Sequence, residues 1–401
     1  MRQTHLVHRP SVSNSSERRS VIRVSFLIDK LTRAGTENQL LALIRCLDRS
    51  VVEPSLVLLD GEDETSRSLE PGCPVIRLGV RKLFGLRAAH AAVRLRRFWK
   101  QQQPDVVQVY FLDSAYFGIP SAKLCGIRHV VRVRNNLGYW LTRKHRLLNR
   151  LLRPAVNVTL TNSESGRDAL VKADGLAGDQ VVVIENGVDV PGSITKGTSV
   201  VGCVANLRPV KNITGLLRAA KIVLARFPHW RFELAGEGDQ RMELEALRDA
   251  LGLGDRFVFR GSVADVPVFL RTVSVAVLPS LSEGMSNAVL EYMAAGKAVI
   301  ATDVGANRIV LGDTGVIVSP GDESSLANAI SELIASPGRV EALGSAARAR
   351  AEEHYGRAAM ARRFEAFYWN LVNTRSERHR VWPTSPGSLS GRAGPGSPLR
   401  E

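Results

Sequence analysis

Apolar, β-branched runs recur along this chain, mostly without alternating polar residues. They include "VIRVSFLID" (21–29), "VVQVYF" (106–111), "HVVRVRN" (129–135), "NVTLTNS" (157–163) and "VVVIENG" (181–187). A strand with one wet face alternates. A strand that stays apolar on both faces is covered on both sides, as in a parallel sheet between two helical layers. Helical periodicity fills the gaps, as in "ENQLLALIRCLD" (37–48). The pattern predicts an α/β, doubly wound architecture.

It then starts again. The Pro-, Gly- and Ser-bearing stretch "VDVPGSITKGTS" (188–199) reads as a connection, and strands at 199–205, 230–236, 257–261, 273–280 and 298–303 follow it. Helices are expected at 212–226, 240–251, around Glu291, at 323–335, 338–353 and 358–372. With 401 residues there is length for two domains. The expected organisation is a disordered arm at 1–19, a first Rossmann-like domain at 20–190 and a linker at 191–198. A second Rossmann-like domain at 199–353, a helix at 354–373 that packs back on the first domain, and a low-complexity, disordered tail at 374–401 complete it.

Composition narrows the class. Hydrophobic residues at 44% and charged residues at 23% suit a globular protein. No apolar run approaches the ~18 residues of a membrane span, and the first twenty residues lack the apolar core of a secretory signal. Cys46, Cys73, Cys125 and Cys203 have no metal-like or redox-like spacing and are expected as buried, reduced thiols, which fits a cytoplasmic setting. From Arg77 to Arg153 there are 17 Lys and Arg against two acids, so this segment holds the whole net charge of +15. Such a segment is either a solvated surface or one that meets a polyanion. An anionic membrane surface ranks ahead of nucleic acid, because no zinc pattern or aromatic-basic stacking motif accompanies the charge.

In open α/β sheets ligands bind where loops leave the carboxyl ends of strands. After the first strand, "LTRAGTENQL" places Gly35 and Thr36 at a helix start, either a plain turn or an approach for an anion. After the first strand of the second series, "ANLRPVKN" places Arg208 and Lys211 three apart, suited to a diphosphate or merely solvated. The stretch "LPSLSEGMSNAVLEYMAAGKAVIATD" puts Glu283 in a loop and Glu291 one turn inside an otherwise apolar helix capped by Ser286 or Asn287. A carboxylate buried there needs donors. A ribose diol offers two, and a structural Arg or Lys is the alternative.

Glu283 and Glu291 together form E-x7-E, which resembles the signature of retaining glycosyltransferases of family 4, of the GT-B fold. The resemblance spans about 20–373. "RAGTENQL" is similar to that family's glycine loop, "VIENGVD" (183–189) to the end of its first domain, and Arg208 with Lys211 to its phosphate-binding pair. "LAGEGDQRMELEAL" (234–247) and "GVIVSPGDESSLANAI" (315–330) follow in the family's order. The resemblance implies that Glu291 holds the nucleotide ribose and that Arg208 and Lys211 hold the diphosphate. Glu283, Gly284 and the amides of Met285, Ser286 and Asn287 then hold the donor sugar. It also implies front-face attack, with a donor phosphate oxygen taking the acceptor's proton, so that Glu283, Arg208 and Lys211 act by positioning and charge. No metal and no other cofactor is expected beside the UDP- or GDP-sugar; "DGED" (60–63) reads as a polar loop.

Two positions depart from the family pattern. Many relatives carry a histidine where this chain has Tyr110, Phe111 and Asp113, which leaves Asp113 or Asn135 to line the acceptor side. "VGANRIV" (304–310) has Ala306 and Ile309 in place of a Gly and a Glu. The expectation is a glycosyltransferase, hexosyl- or related, acting on a glycan or lipid-linked acceptor in cell-surface polysaccharide or glycolipid synthesis at the inner face of the membrane. The rivals are a sugar-nucleotide epimerase or hydrolase on the same scaffold, which needs an acid-base pair not evident here, and a silent binding protein.

Overall fold

The computed structural model describes residues 21–374 except 33–34, 62, 136–141 and 194–196. The expected arm at 1–19, and all but the first residue of the tail, lie outside the described residues.

Two parallel sheets form the frame. The first contains β1 (Ile22–Ile28), β2 (Val52–Leu58), β3 (Val75–Arg77), β4 (Val106–Tyr110), β5 (His129–Val133), β6 (Val158–Thr161) and β7 (Val181–Val183) in the order β3-β2-β1-β4-β5-β6-β7. The second contains β8 (Val200–Val204), β9 (Arg231–Ala235), β10 (Phe257–Gly261), β11 (Val275–Leu278), β12 (Ala298–Thr302) and β13 (Val316–Val318) in the order β10-β9-β8-β11-β12-β13. Both orders reverse beside the first strand of the lobe, where a doubly wound sheet opens a crevice.

The strand runs are apolar on both faces because both are buried. On β1, Val24, Phe26 and Ile28 join one core cluster and Leu27 the other. The first cluster is closed by Met360, Phe367, Tyr368 and Leu371 of the last helix, Arg357–Asn373. That helix crosses from the second lobe, and Tyr368 donates its hydroxyl to Gln108 Oε1 at 2.9 Å.

Three strands escaped the sequence reading: β2, β3 and β13. In β2 the interruption is Pro54, which cannot donate to a ladder. It faces Val24 of β1, while β3 pairs only with Leu56–Leu58, so Pro54 lies where the strand has one neighbour. Only Cys203 of the four thiols is buried. Cys46 is exposed and the other two are half-buried, which corrects the expectation that all four sit in the core.

Candidate active site

A cleft of about 700 Å³ lies between the lobes at the carboxyl ends of β1, β8 and β11. The loop after β8 carries Lys211. Asn212 next to it takes a left-handed conformation, φ 51°, which asparagine tolerates because its side chain bonds locally. Asn212 Oδ1 accepts from Gly215 N at 3.3 Å and caps the helix Ile213–Arg226, while its Nδ2 donates to Pro279 O. Leu281 N donates to Val210 O at 2.8 Å. The loops after β8 and β11 are thereby stitched together, and Lys211 Nζ meets Glu283 Oε1 at 2.5 Å. Ser280 Oγ donates to the same oxygen at 2.7 Å. Glu283 is therefore a positioned carboxylate with two donors on one oxygen.

The loop bearing Glu283 is packed so tightly that glycine is required twice. A Cβ on Gly284 would lie 2.6 Å from Asn135 O of the first lobe. Gly305, at φ 59°, has no room for one against Glu283 O. Behind the loop, the helix Asn287–Ala294 buries Val289, Leu290, Tyr292 and Met293. Tyr292 Oη accepts from Val204 N at 2.6 Å, locking the helix to β8.

Glu291 stands on that helix and faces the cleft. Its carboxylate has no hydrogen-bond partner among the described residues. Burial pushes it up to about 7, against the partial relief given by the Arg357 guanidinium. Of the two alternatives left open by the sequence, a structural ion pair is thus only half present: the cation is near, but no bond is made, and donor demand remains.

Not every expected residue reaches the cleft. Gly35, Lys211, Glu283, Met285, Ser286, Asn287 and Glu291 line it; Thr36, Arg208 and Gly284 do not. Arg208 is exposed at the start of the short 3-10 turn Pro209–Lys211. Asp113 is exposed in the first turn of the helix Leu112–Leu124 and lines no wall of the cleft. Asn135 comes near through its backbone oxygen, against Gly284. Asn287 has a second task. Its Oδ1 accepts from Gln39 Nε2 at 3.1 Å and from Asn186 Nδ2 at 2.8 Å, so it joins the second lobe to the first. Among the described residues no group of three His, Cys, Asp or Glu is placed to hold a metal. In the "DGED" stretch, Asp63 caps a short helix through Ser66 N.

Sequence reasoning missed Gln39, Asn186, Asp189 and Arg357. Arg357 lies at the head of the last helix, and only the return of that helix brings its Nη1 within 2.6 Å of Asp189 Oδ2. No local signal marks it.

The architecture has known counterparts. The Glycosyltransferase Family 4 model matches residues 33–190, and the Glycosyl transferases group 1 model matches residues 198–336. The chain is 28% identical over 330 residues to the lipopolysaccharide core biosynthesis mannosyltransferase LpcC of Rhizobium leguminosarum bv. viciae, covering 76% of this chain and 87% of that protein. It is 26% identical to the 2-deoxystreptamine glucosyltransferase of Streptomyces kanamyceticus, over 74% and 86% of the two chains. Its fold is shared by Anabaena Alr3699/HepE, solved in complex with UDP, at a TM-score of 0.73 and 20% identity, covering 86% and 98%. The matches run through both lobes and meet at the cleft, and the chain therefore belongs to glycosyltransferase family 4, as a transferase of the GT-B fold.

Proposed function

We propose that this glycosyltransferase is retaining, that its donor is a UDP- or GDP-sugar, and that its acceptor is a glycan or lipid-linked sugar of cell-surface polysaccharide or glycolipid synthesis. The observation that carries this reading is the convergence of Lys211, Glu283 and Glu291 on one cleft at a helix start. The similar proteins, a lipopolysaccharide core transferase and a UDP-bound neighbour in fold, support the substrate classes.

In this reading the ribose hydroxyls supply the donors that Glu291 lacks, and Lys211 meets the diphosphate. Arg208, exposed at the start of the turn that carries Lys211, meets the same phosphates only by swinging its side chain into the cleft. Glu283 and the amides of Met285–Asn287, at the positive end of a helix dipole, hold the sugar. The bond from the anomeric carbon to the phosphate oxygen breaks, and its electron pair stays with the diphosphate. The acceptor oxygen bonds the anomeric carbon on the same face, and its proton passes to a phosphate oxygen. Charge on the leaving group is met by Lys211 and Arg208, so the chain's own cations do the stabilising.

Docking on an anionic inner leaflet is part of the proposal. The helix Arg143–Leu152 exposes Leu147, Leu148 and Leu151 among Arg143, Lys144, Arg146 and Arg150. That is the composition of an interfacial helix. Among the described residues no helix is long and apolar enough to cross a membrane. In flotation with anionic vesicles, Leu147→Glu/Leu151→Glu is expected to release the protein; retention equal to wild type removes docking from the proposal.

Thermal-shift titration with UDP, GDP and their sugars tests the donor site. One nucleotide is expected to raise the midpoint, and Lys211→Ala to weaken it by ~10–100-fold, the worth of a charge-assisted bond to phosphate. No shift with either nucleotide would overturn the reading.

A further inference from the structure

A second cavity, of about 550 Å³, lies in the first lobe and shares no lining residue with the interlobe cleft. Arg132 of β5 and Thr159 of β6 line it from the sheet, and the helix Arg143–Leu152 contributes Arg146, Asn149 and Arg150. Its rim includes Asn157 and Gln180, which immediately precede β6 and β7. It therefore extends toward the amino ends of strands whose carboxyl ends lead to the cleft.

The lining holds six cations, Arg132, Arg134, Arg146, Arg150, Arg153 and Lys172, against one carboxylate, Asp174. Asp174 is taken by an ion pair with Arg134. Arg132 is only 6% exposed. Its Nη2 donates to Asn149 Oδ1 at 2.8 Å, but its Nε, and the Nδ2 of the equally buried Asn149, have no hydrogen-bond partner among the described residues. A buried guanidinium answered only by a neutral amide is costly, because its charge keeps the desolvation penalty without a counter-charge. Burial lowers the affinity of Arg132 for its proton, and burial with repulsion from Arg132 brings Arg134 down to about 10. A structural role for Arg132 would call for a second acid, and the lining has none.

We propose that this pocket binds a phosphate-bearing anion, carried by a small soluble molecule or by a lipid headgroup, at a site separate from the donor cleft. The planar forks of Arg132 and Arg134 suit phosphate oxygens, and the volume admits more than one phosphate. The inference does not depend on which donor the cleft takes.

Calorimetry of the full chain with pyrophosphate, at constant ionic strength, tests it. Arg146→Ala/Arg150→Ala alters only exposed rim positions and is expected to weaken binding at least tenfold, while Lys211→Ala, which disables the cleft, leaves this binding in place. Arg132→Lys, which keeps the charge but loses the fork, is expected to weaken it as well. A second arm uses phosphatidylcholine vesicles with and without phosphatidylglycerol. Release from the anionic vesicles by pyrophosphate identifies a headgroup as the occupant, and pyrophosphate binding with no effect on vesicle association identifies a soluble one. The proposal is overturned if pyrophosphate binds neither protein nor competes on vesicles, or if Lys211→Ala abolishes binding that the rim variant retains.

Discussion

At the scale of single residues, Glu291 carries the sharpest consequence. Its carboxyl is raised from an ordinary 4.5 to about 7 by burial. Below pH ~4.5 it is protonated in the folded and unfolded chain alike. Between ~4.5 and ~7 the folded chain binds the extra proton, so stability falls as pH rises through that window and the full cost is present above it. That cost is roughly 3 kcal/mol at most, at about 1.4 kcal/mol per pH unit, and less where cleft water reaches the group. Glu291→Gln is therefore expected to melt above wild type at pH 8 and level with it at pH 4. Nucleotide affinity should run the other way. Ribose hydroxyls bond more strongly to the ionised form, in which both oxygens accept, so affinity for UDP or GDP should drop as pH falls from 8 to 6, and Glu291→Gln should abolish the dependence. Calorimetry across that range checks it; a flat profile in wild type would mean that Glu291 does not hold the ribose. The same scale explains why "ENGVD" marks the end of the first lobe. Glu185 faces Arg363, Asn186 bonds Asn287, and Gly187 bonds Gln39 through both its N–H and its C=O. Val188 pairs across to Tyr355 and Arg357, and Asp189 meets Arg357. Five consecutive residues each make a contact with another part of the chain.

At the scale of elements, the strand runs and the Glu291 helix were legible because each has an uninterrupted local pattern. The strands β3 and β13 span three residues each and, unlike β7, whose three valines run on into Ile184, belong to no longer apolar run. The helix Leu112–Leu124 was hidden as well, since its first turn, "FLDSAY", reads as loop. Its start explains both the disguise and a prediction. Phe111 holds φ 61°, a conformation that a bulky side chain adopts only under constraint. The constraint is visible one turn on, where Ser114 donates through both N and Oγ to the half-buried Asp29 just after β1. Phe111 is itself exposed and contributes little burial. Phe111 pairs that φ with a ψ of 179°, a region open essentially to glycine alone, so Phe111→Gly is expected to stabilise the chain by ~1 kcal/mol, or about 2–4 °C in the melting midpoint of a domain this size. A midpoint below wild type in differential scanning calorimetry would show that the ring holds the helix start in place by packing. The site was legible in the same uneven way. Glu283, Glu291 and Lys211 follow strands and announce themselves. Gln39 follows Glu37 and Asn38 just past the glycine loop, where a polar helix residue reads as solvated, and Arg357 lies after the second domain has closed, so neither is singled out by its own residue type.

At the scale of the whole molecule, the described contacts between the lobes include two chain crossings and a polar latch. The crossings run side by side, Val188 N donating to Tyr355 O at 2.8 Å and Arg357 N to Val188 O at 3.2 Å. They approach so closely that a Cβ on Gly187 would lie 3.0 Å from Arg357 Cα. A pair of adjacent crossings is a hinge, since rotation about them leaves both sheets and their cores untouched. The latch centres on Asn287 Oδ1, which accepts from Gln39 Nε2 at 3.1 Å and from Asn186 Nδ2 at 2.8 Å; Gln39 Nε2 also bonds Gly187 O at 2.9 Å, and Gly35 leaves room beside Asn287, where a Cβ would come within 2.6 Å of Nδ2. Gln39→Ala removes three bonds (its carboxamide oxygen also accepts from Gly187 N) without touching either core. Of these only the bond to Asn287 crosses between the lobes, since Gly187 belongs to the first, and at ~0.5–1.5 kcal/mol its loss moves the closed state down by roughly two- to tenfold relative to open forms. Gly35→Val should act in the same direction as a wedge. Both variants are expected to raise the donor KM and to enlarge the radius of gyration in solution scattering, with saturating nucleotide restoring the compact form, because the ligand binds the closed cleft best. The melting midpoint of Gln39→Ala should also fall, since the buried N–H and C=O of Gly187 lose their partner on Gln39. An unchanged radius with an unchanged KM would show that the other contacts between the lobes set the closure, and that the amide of Gln39 serves only to satisfy the backbone of Gly187.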